Sequence, residues 1–207
     1  MIEFKNRDLK FEVEDHLFWM YRVTYEIEMH INAVISLERL ISANLLFSDI
    51  SSDLIFYHNE LALIRTAFIL KNKTRGDEKH SLLGLQNFLD GKQVKTNHNS
   101  IKSIFEKISS FYHTYQADID MLIKKRDAEA HEFKVGKQIK ISNDNPISLI
   151  KQLNIVKEVR AIITELYMLL FQRDLPLNLH YPIDLYSKIY KHSIGIIASE
   201  VQVQYST

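Results

Sequence analysis

Arg126, Asp127 and His131 are the residues whose types and spacing best suit chemistry, in the string Lys125-Arg126-Asp127-Ala128-Glu129-Ala130-His131-Glu132. On a helix Asp127 and His131 stand four apart, within about 40° of one face, so the carboxylate can bond the imidazole, set its tautomer and favour its protonated form. Arg126 lies about 140° round the helix from His131 and about 7.5 Å along it, so a single chain aligns the two poorly and a partner chain could complete the site. Arginine grips phosphate bidentately and stabilises charge developing there. A histidine titrating near neutrality can take a ribose 2′-hydroxyl proton or protonate a leaving oxygen. These types therefore suit phosphodiester cleavage without a metal or other cofactor, on RNA rather than DNA.

Spacing alone is weak support. Arginine followed after four to six residues by histidine occurs three times in the 207 residues. Arg75 to His80 falls in a glycine-containing loop and Arg173 to His180 spans Pro176, so only Arg126 to His131 has a helical setting. The competing reading of the same string is a charged helix end with solvated ion pairs.

The elements that must position these residues are helices. Only 5 Gly and 3 Pro occur, a composition that suits long helices and not a turn-rich β fold. From about Phe11 to Phe47 apolar residues recur near a 3.6-residue period, and the Ser-Asp cluster at 48–53 breaks the pattern and supplies N-cap candidates, Ser52 or Asp53, for a second helix running to about Lys71. In that second helix Arg65 interrupts the apolar series and is expected to lay its stem along the core with its head in water. Ser81 to Leu89 is a short helix with Leu82, Leu85 and Leu89 facing in. The helix that reopens at Asn97 to Ser100 carries Ile101, Ile104, Phe105, Ile108, Tyr112, Tyr115, Ile119 and Leu122 toward the core and ends in the Arg-Asp-His string. Ile139 to Ile141 is a short extended piece, and a fifth helix spans about Ile147 to Gln172. His16 and His30 are expected to be packing histidines on the first helix. The expectation is an all-α bundle of four to five main helices over residues 1–173, followed by a tail, 174–207, with a short helix near Leu185 to Glu200.

Other chemistries lack their anchors. The absence of cysteine removes disulfides and thiolate zinc sites. No Glu-x-x-His pair, His-Glu-x-x-His string or glycine-rich phosphate loop occurs. A net charge of zero argues against coating nucleic acid by bulk electrostatics. With no leader-like N-terminus and no membrane-spanning run, a cytoplasmic protein without membrane contact is expected.

The string and its setting resemble the HEPN superfamily, whose Arg-x4-6-His motif lies near the end of a long helix with a polar residue just after the arginine. The resemblance is to the abortive-infection branch, with its Arg-[Asn/Asp]-x-x-x-Ala-His pattern preceded by a helix, a loop and a Ser-Leu-x-x-Leu run, here Ile64 to Leu70, the basic loop and Ser81-Leu82-Leu83-Gly84-Leu85. It covers roughly residues 11–172. It implies a HEPN-like fold, a homodimer with two motifs facing across a cleft, and a metal-independent endoribonuclease of a toxin or phage-defence system. Arg126 and His131 would be catalytic, Asp127 supporting, RNA the substrate, and an antitoxin or regulatory protein a further partner. The alternative is a HEPN-like module that binds RNA or protein without cutting, and a third reading is a structural bundle that docks another protein. Members paired with nucleotidyltransferase antitoxins carry a modifiable tyrosine two residues after the histidine. Phe133 has no such hydroxyl.

Overall fold

The computed structural model describes residues 3–42, 48–71, 81–90, 94–95, 99–135 and 146–175. Their order is β1 (Glu3–Phe4), α1 (Arg7–Ser42), α2 (Ser48–Leu70), α3 (Leu82–Phe88), β2 (Val94–Lys95), α4 (Asn99–Val135) and α5 (Leu149–Phe171). The fold is all-α, with four long helices and one short one. The extended piece expected at Ile139 to Ile141, and the tail beyond Leu175, lie outside the described residues.

The helices α1, α4 and α5 turn the apolar faces expected of them inward, whereas α2 starts at Ser48, ahead of the Ser52 or Asp53 cap expected of it, and leaves Ile64 and Phe68 of its apolar series exposed. Leu17, Met20, Ile27, Ile31, Val34 and Leu37 of α1 are buried, as are Ile101, Ile104, Ile108, Ile119 and Leu122 of α4 and Ile155, Val156, Val159, Ile163 and Leu166 of α5. Except for Val34 and Leu37, which are buried further along α1, these residues form one core, with Leu82, Leu85 and Leu89 of the α3 region added to it. Ser81 caps α3 by accepting from the Gly84 N–H, and Ser148 caps α5 by accepting from the Lys151 N–H. At its other end α5 stops on Gln172 in the left-handed conformation, φ 54°, whose N–H donates to the Met168 carbonyl.

Polar contacts fix the helix directions. His30 of α1 meets His58 of α2, and Glu26 pairs with Arg65, so these helices are antiparallel. Arg160 of α5 reaches Thr24, and the Tyr167 hydroxyl donates to Glu14, so α5 is antiparallel to α1. Lys107 pairs with Glu165 and Lys151 with Asp118, which makes α4 antiparallel to α5. The result is an up-down-up-down bundle in which α2 and α4 are also antiparallel. A two-residue antiparallel ladder, Glu3 with Lys95 and Phe4 with Val94, joins the strands, and Phe4 stacks on Phe171, centroids 5.6 Å apart. Among the described residues no helix is long and apolar enough to cross a membrane.

Candidate functional site

α4 runs unbroken through Arg126, Asp127 and His131 to Val135, so the motif sits on one helix as its spacing requires. That places Asp127 and His131 on neighbouring turns of one face and leaves Arg126 about 140° from His131. The Arg126 side chain is only 17% exposed, and its Nη2 lies 2.9 Å from Asp127 Oδ1. Asp127 itself is 54% exposed. Arg126 Nε and Nη2 are both buried; Nε has no hydrogen-bond partner among the described residues, and Nη2 meets Asp127 as an ion pair outside hydrogen-bond geometry. The side chain of His131 lies outside the described residues, so only its place on α4 is fixed.

The bundle brings further polar groups to the same level. The Tyr112 hydroxyl of α4 donates to the Leu70 carbonyl at the end of α2, 3.0 Å. Moving about 21 Å from that contact along each antiparallel helix, at about 1.5 Å per residue, reaches Arg126 on α4 and Phe56 on α2. His58 and Asn59 therefore lie within a turn of the Arg126 level. Asn59 Oδ1 is a buried acceptor without a hydrogen-bond partner among the described residues. By this reckoning the Nε donor of Arg126 and the Oδ1 acceptor of Asn59, each without a hydrogen-bond partner among the described residues, lie at about the same level of the bundle.

His58 joins His30 across the α1–α2 seam, Nδ1 to Nδ1 at 2.8 Å, with ring centroids 5.1 Å apart. One Nδ1 must carry the proton and the other its lone pair. Burial, and then the neighbouring His58, bring His30 down from 6.5 to about 4. Burial lowers His58 as well. Both rings are neutral at pH 7, and His30, 6% exposed, has little access to solvent. They are a structural clasp at neutral pH. The histidine on α1 was legible as a packing residue, but its partner was not, because a separation of 28 residues leaves no local pattern.

Arg65 also departs from expectation. Its head does not simply project into water but pairs with Glu26, which is joined to Arg22 as well. These three residues, with Trp19, Val23, Ile64 and Phe68, line an open cleft of about 400 Å³ between α1 and α2. No cluster of three or more His, Asp or Glu able to hold a metal ion occurs among the described residues.

Compared with known proteins, the chain matches no family model, no curated protein and no solved structure.

Proposed function

We propose that the chain is a HEPN-type, metal-independent endoribonuclease of a toxin or phage-defence system, with Arg126 and His131 catalytic, Asp127 supporting, and the site completed by a second copy. The observation that carries this reading is the state of Arg126. A guanidinium held near the end of a continuous helix, with Nε buried and without a hydrogen-bonding acceptor among the described residues and Nη2 met only by the half-exposed Asp127, is prepared for an anion. Asp127 has two uses in this scheme. It neutralises Arg126 in the free protein. A substrate phosphate competing for the guanidinium releases the carboxylate toward His131, four residues on, where it favours the charged imidazole.

In the reaction a neutral imidazole of His131 takes the 2′-hydroxyl proton as the 2′-oxygen attacks phosphorus. Arg126 stabilises the charge gathering on the non-bridging oxygens, and the 5′-oxygen leaves with a proton from an imidazolium. The products are a 2′,3′-cyclic phosphate and a free 5′-hydroxyl. One observation favours the second reading, a HEPN-like module that binds without cutting: Arg126 is largely covered and already carries an ion-pair partner.

Incubation of the purified chain with total RNA, with and without EDTA, separates the two. Cleavage that survives EDTA, leaves cyclic-phosphate ends and disappears in His131→Ala is the expected result. Cleavage unchanged in His131→Ala removes the motif from the chemistry and overturns the catalytic reading, and RNA retained without cleavage replaces it with the second one.

A further inference from the structure

α2 carries large apolar residues on its outward face as well as on the face that the bundle covers. Ala62, Leu63, Thr66, Ala67, Ile69 and Leu70 are buried in the bundle. On the outward face Leu54, Tyr57, Ile64 and Phe68 are 38%, 57%, 45% and 41% exposed, with half-buried Leu61 between them. These five positions alternate in steps of three and four, the seam pattern by which one helix packs along another. Trp19 of α1, 36% exposed, extends the stripe by packing edge-on against Phe68, centroids 5.6 Å apart.

We propose that this face joins two copies of the chain, α2 against α2 antiparallel, about a two-fold axis at Leu61. Three features favour a second copy as the occupant. The stripe is nearly symmetric about Leu61: an antiparallel copy sets Leu54 against the partner's Phe68 and Tyr57 near the partner's Ile64, which is the self-complementarity that a two-fold contact demands. Its edge is partly neutralised, since Arg22 and Arg65 both pair with Glu26, which leaves one positive charge per copy to be met in the polar rim. The area is also sufficient. At roughly 200 Å² per aromatic side chain, Tyr57, Phe68 and Trp19 expose roughly 270 Å². Leu54 and Ile64 bring this to roughly 400 Å² per copy, and two copies with their polar rims reach the ~1,000 Å² of a specific interface. The inference does not rest on the ribonuclease reading: that reading asks for a second copy at the Arg126 end of α4, whereas this contact lies on the outward face of α2, beside Trp19 and Glu26 of α1.

The absence of native cysteine makes the test direct. The full-length Leu61→Cys variant should form a disulfide-linked dimer on mild oxidation, because the axis sets the two positions opposite one another. Leu54→Cys should not, since the same axis separates its two copies by about 21 Å along the helix. The double variant Leu54→Cys/Phe68→Cys should link again. In sedimentation equilibrium the unmodified chain should be a dimer and Ile64→Glu a monomer, while Ile150→Glu, at a still more exposed apolar position on α5, should remain a dimer. A monomeric unmodified chain overturns the proposal and assigns the stripe to another occupant, either another protein or the chain's own residues 176–207. A dimer in which Leu61→Cys fails to link, or in which Leu54→Cys links equally well, overturns it too. The cysteine variants keep the test decisive if Ile64→Glu does not fold. RNA cleavage by a dimer that fails these linkage tests removes this inference alone, and a linked dimer without cleavage removes only the ribonuclease reading.

Discussion

Acidification should loosen the α1–α2 seam, and the His30–His58 pair sets both the direction and the size of the effect. His30 titrates at about 4 in the folded chain, against 6.5 for an exposed histidine, first because it is buried and second because His58 lies beside it. The unfolded chain therefore binds the proton more readily. The contribution to stability is fully present above about pH 6.5, falls by about 1.4 kcal/mol for each pH unit below that, and levels off near pH 4. The displacement amounts to about 2 kcal/mol lost at pH 5 and about 3 kcal/mol at the plateau, and the lowered His58 adds in the same direction. Against a domain stability of about 5–15 kcal/mol, such a loss is readily measured. The first proton can enter at an outer ring nitrogen and leave the Nδ1–Nδ1 bond in place. A second sets two N–H groups against one another and breaks it. Urea unfolding followed by circular dichroism at pH 7.5, 6 and 5 gives the profile, with His30→Leu as the comparison. The variant should lose the bond at neutral pH but show a flatter pH dependence between 6.5 and 4.5. Equal pH slopes in the variant and the parent chain refute the assignment.

Other substitutions probe the frame around the motif. Arg160 donates from Nε to Thr24 Oγ1 and from Nη2 to the Thr24 carbonyl, pairs with Glu28 at 2.6 Å, and lies 3.7 Å over the Tyr25 ring. Arg160→Met should cost about 2–3 kcal/mol in urea unfolding because Glu28, 18% exposed, loses its close partner, and Glu28→Gln in the same chain should restore part of it. Gln172→Gly should raise stability by about 0.5 kcal/mol, since glycine accepts the left-handed conformation that glutamine holds at φ 54°; an unchanged or lower midpoint speaks against strain there.

The helices were legible because burial here follows a single helical period. Leu17, Ile27, Ile31 and Val34 on α1, and Ile101, Ile104, Ile108 and Ile119 on α4, could be assigned inward from spacing alone, and all are buried. Helix starts shifted by a few residues: α1 begins at Arg7 and not near Phe11, because Asn6 Oδ1 accepts from the Leu9 N–H and caps the helix earlier than the first apolar repeat. The short Glu3–Phe4 and Val94–Lys95 pairing was not visible, since two residues carry no alternation and their partners lie far apart in sequence. The same limit hid His58. Arg65 shows a related limit: a local apolar series shows that an arginine interrupts it, but not that Glu26 of the previous helix stands opposite. At the motif, the sequence placed Arg126, Asp127 and His131 on one helix. It could not show that Arg126 is nearly covered or that Asp127 is its ion-pair partner.

The two interior arginines make the sharpest case for a role at Arg126. Both are about equally covered, 16% exposed for Arg160 and 17% for Arg126, so both have given up most of their hydration. Arg160 recovers that loss through a hydroxyl, a carbonyl, a carboxylate and an aromatic face. Arg126 has Asp127 alone, at an ion-pair distance, and its Nε and Nη2 lack a hydrogen-bonding acceptor among the described residues. A buried donor left unsatisfied costs about 1–3 kcal/mol, so an arginine serving only the scaffold would be poorly placed there. If Arg126 is held for an anion, Arg126→Met should leave stability within about 0.5 kcal/mol of the parent or raise it, in contrast to Arg160→Met, while abolishing RNA cleavage. A loss of stability as large as that of Arg160→Met identifies Arg126 as part of the frame and removes the observation on which the ribonuclease reading stands.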